Sequence, residues 1–137
     1  QLRRPEGVEM TLDACPDFIF NIDRNRLWQI CMNLLTNAVK HTKKGSIWFG
    51  YTLEAEEKMI KFYVSDTGCG IPKDELDNIF ARFVQLSDFE QGIGLGLAIC
   101  KGLVLKMGGN LSVMSEEGFG STFIFTLPMK RPNSWKN

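Results

Sequence analysis

Three polar side chains on one predicted helix have the types and spacing to hold a metal ion and a phosphate. Asn33, Asn37 and Lys40 recur at three- and four-residue steps, so they share one stripe of the helix, beside its apolar stripe. An Asn amide oxygen is a hard donor that Mg²⁺ accepts when phosphates supply other ligands, and Lys40 would then meet a phosphate. The alternative is a polar helix face that makes a hydrogen bond at the edge of the core.

A second candidate feature is the turn from Asp66 to Pro72, which follows a predicted strand. It carries one carboxylate, and Gly68 and Gly70 suit a tight turn that brings backbone close to a ligand. A buried Asp66 would accept a hydrogen bond from an amino group such as the exocyclic amine of adenine. The alternative is an ordinary turn closed by the aspartate side chain.

A third feature is the glycine-rich run from Gly92 to Leu97, which leads into a predicted helix. Free N–H groups at a helix N-terminus favour phosphate. The run is not a Walker A loop, because no Gly-Lys-Ser/Thr follows, and its third glycine comes too soon for a dinucleotide fingerprint. Glycines that allow close helix packing are the alternative.

The elements that must position these features follow from hydrophobic periodicity. Apolar residues at helical spacing predict one helix over Asp23–Thr42 and another over about Leu95–Met107, and Pro72 opens a helical pattern from Lys73 to about Phe83. Strands are predicted over Ser46–Leu53 and Met59–Ser65, paired as an antiparallel hairpin, and over Asn110–Ser115 and Ser121–Leu127. The mixture of hairpins and helices predicts an α+β two-layer sandwich.

Composition and charge narrow the class of protein. The 137 residues suit one domain, and 16 basic against 16 acidic residues give no electrostatic attraction to nucleic acid or to an anionic membrane. The four cysteines form no Cys-x-x-Cys pair, and His41 is the only histidine, which argues against zinc and favours small buried thiols in a reducing compartment. The reducing compartment predicts a cytoplasmic chain. The chain has no signal peptide and no spanning apolar run and begins at Gln1, so we expect a piece of a longer protein.

In this order, the segments resemble the nucleotide-binding boxes of the histidine kinase catalytic domain, which shares a superfamily with gyrase B, Hsp90 and the mismatch-repair ATPase. The resemblance covers about Thr11–Pro128. The boxes correspond to Asp23–Thr42 (N box), Asp66–Pro72 (G1 box), Ile79–Phe83 (F box), Gly92–Ile99 (G2 box) and Gly118–Phe123 (last glycine box). The fold implied is the Bergerat ATP-binding sandwich, a mixed sheet with helices on one face.

The resemblance also implies roles for individual residues. Asn37 would ligate Mg²⁺, Asn33 would support the metal and phosphates, and Lys40 would contact phosphate. Asp66 would read the adenine amine. The remaining expected ATP contacts are His41, Gly68, Gly70, Ile71, Gly92, Gly94, Leu95, Gly96, Leu97 and Ser121.

Two positions depart from the family's pattern. His41 stands where an aromatic ring more often covers the nucleotide, so stacking there would be weaker. The segment from Val84 to Gln91, expected as a lid, is short and lacks the basic residues often found in longer lids. The contacts to the γ-phosphate from that side are therefore left open.

The function implied is transfer of the ATP γ-phosphate to a histidine on a separate dimerisation domain, in two-component signalling with a receiver domain downstream. Alternatives are a non-catalytic nucleotide-binding or protein-interaction module, and an ATP-hydrolysing domain, although Asn33 stands where hydrolases carry a glutamate base. We expect a monomeric domain over residues 11–129, with a linker over 1–10, a tail over 130–137, and no nucleic-acid or membrane contact. The parent protein is left open as soluble or membrane-anchored.

Overall fold

The computed structural model describes residues 7–13, 15, 22–80 and 95–129. Within these residues the chain forms five strands, two α-helices and one short 3₁₀ turn. In chain order they are β1 (Val8–Leu12), α1 (Arg24–His41), β2 (Gly45–Glu54), β3 (Met59–Asp66), the 3₁₀ turn (Lys73–Glu75), α2 (Leu95–Lys106), β4 (Asn110–Glu116) and β5 (Gly120–Pro128).

The strands make one mixed sheet in the order β1-β2-β3-β5-β4. β1 runs parallel to β2, and the other neighbours are antiparallel, including the predicted β2–β3 hairpin. The register places Asp66 opposite Ser121, and Ser121 opposite Ser115. Because neighbours in register share a face, these three side chains form a row across β3, β5 and β4, which we call the polar row.

The core lies between this sheet and the two helices, which pack against each other and against the sheet. Alternate residues of β3 and β5 are buried, as expected for a sheet covered on one face. Burying a side chain such as Leu34 or Phe123 stabilises the fold by about 1.5–3 kcal/mol relative to leaving it exposed. The core therefore holds α1 and the strand ends in fixed relative positions.

The long helix α1 begins and ends close to the predicted bounds. The Asp23 side chain accepts a hydrogen bond from the Arg26 backbone N–H at 3.1 Å, which caps the N-terminus. Its apolar stripe is buried through Ile30, Leu34 and Ala38. The helix stops at Thr42, whose backbone is extended.

Two predictions of secondary structure need correction. The helix predicted from Lys73 is a 3₁₀ turn over Lys73–Glu75, followed by turns up to Phe80. Asp and Asn offer the backbone competing hydrogen bonds, and Asp77 and Asn78 lie where a helix would have continued. Residues 81–83 of that prediction lie outside the described residues.

The second correction is the strand β1 (Val8–Leu12), which was not predicted. Val8, Met10 and Leu12 do alternate with polar residues. Five residues are a weak signal on their own, and the strand is stabilised by pairing with β2 along Gly45–Phe49.

None of the α-helices that the structure describes has the length and apolar character needed to cross a membrane.

Candidate functional site

A cavity of about 220 Å³ opens where the end of α1, the end of β3, the following loop and the start of α2 meet. We call it the central cavity. Apolar side chains provide most of its wall, and a few polar groups converge on it. It is lined by Asn37, His41, Asp66, Cys69, Gly70, Ile71, Pro72, Glu75, Ile79, Leu97 and Ser121.

Seven residues expected at the site from the sequence meet in this cavity. They come from four separate parts of the chain, which only the fold brings together. They are Asn37, His41, Asp66, Gly70, Ile71, Leu97 and Ser121.

Asp66 supplies the buried carboxyl group of the cavity. It ends β3 and is only 6% exposed, and its Oδ1 accepts the Gly68 N–H at 2.8 Å. Burial raises the pKa of the Asp66 carboxyl above its ordinary value; the Gly68 and Ser121 N–H groups and nearby His41 offset part of that rise. The buried carboxyl group at a strand end is confirmed, and its bond to the Gly68 N–H closes the turn as the alternative interpretation expected. Binding of a ligand by Asp66 stays a prediction.

The loop after Asp66 is tied down from two sides. The Cys69 N–H donates to the His41 carbonyl at 3.1 Å, and the Gly118 N–H donates to the Cys69 carbonyl at 2.7 Å. Gly68 packs so closely on the His41 carbonyl that a Cβ there would collide with it. These contacts lock the loop between the end of α1 and the β4–β5 turn.

Gly70 is required in this loop for two reasons. Its φ is +74°, a left-handed conformation that side chains rarely adopt, and a Cβ would collide with the Glu116 carbonyl. The backbone of the loop therefore approaches β4 as closely as it can. This confirms the tight turn that the glycines predicted.

Ser115 joins three parts of the site without lining the central cavity. Its Oγ accepts the Ile71 N–H at 2.8 Å, contacts the Gly120 carbonyl oxygen at 2.9 Å and lies 2.8 Å from the Ser121 Oγ. The loop, the start of β5 and the end of β4 thus meet at one hydroxyl.

Asn33 lies one helical turn before Asn37 but does not line the central cavity. A Cβ on Gly96 would stand 3.6 Å from the Asn33 Cγ, so α2 begins directly against this side chain. Asn33 also hydrogen-bonds the Cys100 thiol; burial nevertheless raises the pKa of that thiol to about 11. Asn33 therefore contacts the N-terminal turn of α2.

Lys40 is exposed and lies beside a different surface feature, a depression of about 420 Å³ that we call the basic depression. Gly68 also borders it. Its lining residues are Lys40, His41, Lys43, Lys44, Thr67, Gly68 and Cys69. Lys40 therefore lies outside the central cavity, beside a depression that shares His41 and Cys69 with it.

Several predicted features lie outside the described residues. They include Gly92, Gly94, Phe83 and the segment Val84–Gln91, expected as a lid. Leu95 begins α2, so its backbone lies at a helix N-terminus. Phe80, predicted as a core residue, packs edge-on against Phe123 with ring centroids 6.1 Å apart.

Sequence reasoning assigned no site role to five residues of this region: Cys69, Pro72, Glu75 and Ile79, which line the cavity, and Ser115, which lies beside it. Only the strand register could have found Ser115, because it lies directly opposite Ser121. All four cysteines are free thiols, yet Cys69 is exposed and not buried as expected, with its Sγ 3.9 Å from the His41 Nδ1. The loop that carries it lines a cavity and does not pack into the core.

Known proteins share both the sequence and the fold. Residues 22–131 match the family described as "Histidine kinase-, DNA gyrase B-, and HSP90-like ATPase". The "Hybrid signal transduction histidine kinase B" of Dictyostelium discoideum is 43% identical over 94% of this chain. The "Aerobic respiration control sensor protein ArcB" of Escherichia coli is 44% identical over 77% of it. The chain spans only 7% and 14% of the lengths of these two relatives.

Solved structures agree. Full-length ShkA, determined in complex with AMPPNP, superposes with a TM-score of 0.79 at 37% identity, covering 92% of this chain and 26% of that one. The catalytic domain of histidine kinase ThkA gives 0.74 at 27% identity, covering 90% of this chain and 80% of that one. The mixed five-stranded sheet with helices confirms the predicted α+β sandwich of the ATP-binding type. The chain belongs to the histidine kinase-, DNA gyrase B- and HSP90-like ATPase family, and its structural neighbours are histidine kinase catalytic domains.

Proposed function

We propose that this domain binds Mg-ATP and presents the γ-phosphate to a histidine on a separate dimerisation domain. The observation that carries the proposal is the buried Asp66 carboxylate in the central cavity. Its Oδ1 is held by the Gly68 N–H, and apolar walls surround it. A fixed acceptor inside a mainly apolar cavity is the arrangement that recognises an amino group on a flat aromatic base.

The size of the cavity supports binding of the base alone. At about 220 Å³, it is smaller than the roughly 300–1,000 Å³ typical of sites that enclose a whole small molecule. Ile71, Ile79 and Leu97 provide apolar surface for the faces of a ring. The ribose and phosphates would then extend out of the cavity.

The donors beside the cavity fit a magnesium ion. Asn37 brings an amide oxygen to the cavity, and Mg²⁺ usually takes only one or two protein ligands when phosphates and water supply the rest. Among the residues that the structure describes, no group of three or more His, Cys, Asp or Glu could hold a metal by itself. A metal that arrives with the nucleotide suits this donor set.

Three further groups are proposed to serve the phosphates. Asn33 holds the first turn of α2, where the free N–H groups of Leu95 and Gly96 favour negative charge. Lys40 adds positive charge one turn after Asn37. Gly92 and Gly94 are proposed contacts from the sequence alone.

Bound Mg-ATP would supply a phosphoryl group whose transfer needs mainly positioning and charge neutralisation. The chain would do this work by holding the base on Asp66 and by placing charge and amide oxygens around the phosphates. The nucleophile would come from another domain, because His41 lines the base cavity itself and its Nδ1 faces Cys69. The partners proposed are the dimerisation domain of the parent kinase and a downstream receiver domain, with this domain a cytoplasmic monomer.

Calorimetric titration with a non-hydrolysable ATP analogue, with and without Mg²⁺, tests the site. Asp66→Asn should weaken binding in both conditions, and Asn37→Asp should change the dependence on Mg²⁺. Asp77→Asn, at an exposed position outside the cavity, is the matched control and should bind like the wild type. No binding by the folded wild-type chain would reject the proposal in favour of an interaction module.

Transfer is tested by adding the separately expressed dimerisation domain of the parent kinase with radiolabelled ATP. Acid-labile label on that domain is the expected result. Acid-labile label on His41 would contradict the assignment of the acceptor. Rapid ATP turnover by the domain alone, lost on changing Asn33, would instead support a hydrolase.

A further inference from the structure

The hydrogen atoms of the polar row can be assigned from the contacts of Ser115. A serine hydroxyl has one hydrogen to donate and two lone pairs to accept with. The Ser115 Oγ has three neighbours: the Ile71 N–H, the Gly120 carbonyl oxygen and the Ser121 Oγ. Three contacts fill its complete hydrogen-bonding capacity.

Only one assignment satisfies all three contacts. The Ile71 N–H can only donate, and the Gly120 carbonyl can only accept, so the Ser115 hydrogen goes to Gly120 at 2.9 Å. The remaining contact, 2.8 Å between the hydroxyls of Ser115 and Ser121, then requires the hydrogen of Ser121. If Ser115 donated to Ser121 instead, two oxygens 2.9 Å apart would face each other with no hydrogen between them.

This assignment determines what Ser121 offers to the central cavity. With its hydrogen committed to Ser115, the Ser121 Oγ faces a ligand with lone pairs only. Asp66, directly across the sheet from Ser121, is also an acceptor when ionised. Both polar groups that the row contributes to the cavity lining therefore accept hydrogen bonds.

We propose that Ser115 is a positioning residue that makes the base site selective for 6-aminopurines over 6-oxopurines, acting through Ser121. This inference rests on the proposed function, since it specifies the base of the bound nucleotide. An exocyclic amine brings hydrogens to two acceptors, whereas a 6-oxo group brings a third acceptor and is repelled. Ser115 does not line the cavity, so its effect on the base passes through the orientation of the Ser121 hydroxyl.

The test compares the equilibrium binding of ATP and inosine triphosphate, which differ in the group at position 6 of the purine and in the hydrogen that the 6-oxo base carries on N1. In Ser115→Ala the Ser121 hydroxyl is free to turn and donate into the cavity, which favours the 6-oxo base and disfavours the amine. We expect the preference for ATP to fall about tenfold, the scale of one hydrogen bond. The preference for ATP over inosine triphosphate that remains in this variant comes from Asp66.

Three control variants separate positioning from structural damage. Ser115→Thr keeps the hydroxyl and should keep the preference. Ser112→Ala removes an exposed hydroxyl on the opposite face of β4 and should also keep it. In a Ser121→Ala background, adding Ser115→Ala should leave the ATP to inosine triphosphate ratio unchanged, because the residue through which Ser115 acts is gone.

An equal loss of affinity for both nucleotides in Ser115→Ala would overturn the inference, because a merely structural role moves both alike. A change of ratio that persists in the Ser121→Ala background would also overturn it. If Ser115→Ala does not fold, Ser115→Cys replaces it, because a thiol has nearly the same shape and makes weaker hydrogen bonds. The quantity measured is again the ratio of ATP affinity to inosine triphosphate affinity. Failure of the proposed function is a separate outcome, in which the folded wild type binds neither nucleotide.

Discussion

The two ends of the candidate site are held in place in different ways. At the base end, Asp66, Ser121 and Ser115 lie on three strands, and their hydrogen bonds include one between Ile71 and Ser115, which are 44 positions apart in the chain. At the helix end, Asn33, Asn37 and Lys40 lie on one helix at local spacing. Local geometry is thus enough to set the spacing of the helix end, whereas the base end exists only when the sheet is assembled.

This difference predicts that the two ends can be disabled separately. In ATP titrations without Mg²⁺, Asp66→Asn should weaken binding by about a hundredfold, the upper range for a hydrogen bond to a charged group. Asn37→Ala should change binding by less than about threefold under the same conditions and matter only with Mg²⁺ present. Equal losses in both variants would show that the ends act as one unit.

The packing of the base-end loop gives the next largest effect. Gly70→Ala should destabilise the fold by about 2–3 kcal/mol, because the residue has positive φ and its Cβ would collide with the Glu116 carbonyl. Gly118→Ala is the matched control, because Gly118 has a φ of +88° but open space where a Cβ would stand. This variant should lower the free energy of unfolding by about 1 kcal/mol. Urea unfolding of both variants measures the difference. Equal costs would mean that the loop can move away from β4.

The buried carboxylate should make stability depend on pH. The folded-state pKa of Asp66 is raised. The contribution of its carboxyl group to the free energy of unfolding is therefore fully present below the unfolded-state pKa, about 3.9, and is lost as pH rises through the folded-state pKa. The stability of Asp66→Asn relative to the wild type should therefore increase as pH rises across this window. Urea unfolding at a series of pH values measures it, with Asp77→Asn as the control. A difference that does not change with pH would contradict the raised pKa.

The smallest expected effect is a change in the reactivity of Cys69, whose N–H donates to the carbonyl of His41 at the end of α1. Cys69 is exposed and lines the cavity, whereas burial raises the pKa of Cys31 to about 12 and of Cys100 to about 11, which keeps both in the unreactive thiol form at neutral pH. N-ethylmaleimide should therefore modify Cys69 faster than either, and bound nucleotide should slow that reaction severalfold. Peptide mass mapping measures it, with Cys69→Ser as the control. No protection by a nucleotide that binds would place the ligand away from Cys69.

Much of the fold could be predicted from local patterns. The helix α1 follows from its apolar periodicity, β2 and β3 follow from their β-branched and aromatic residues, and β4 and β5 follow from the glycine turn that joins them. The helix expected after Pro72 was wrong: the structure has a 3₁₀ turn there, and Asp77 and Asn78, both poor helix formers, lie where the helix would have continued. β1 was missed because a five-residue edge strand depends on its neighbour.

By itself, the sequence determined the chemical types at the site and their local spacing: the amides of α1, the carboxylate after a strand and the glycines of its loop. Only the tertiary structure decided which of them meet. It placed Asn37 and Asp66 in one cavity, turned Asn33 toward α2, put Lys40 beside another depression, and brought in Ser115. The physical reason is that helical and turn geometry act over a few residues, whereas strand register and core packing set contacts between residues far apart in the chain.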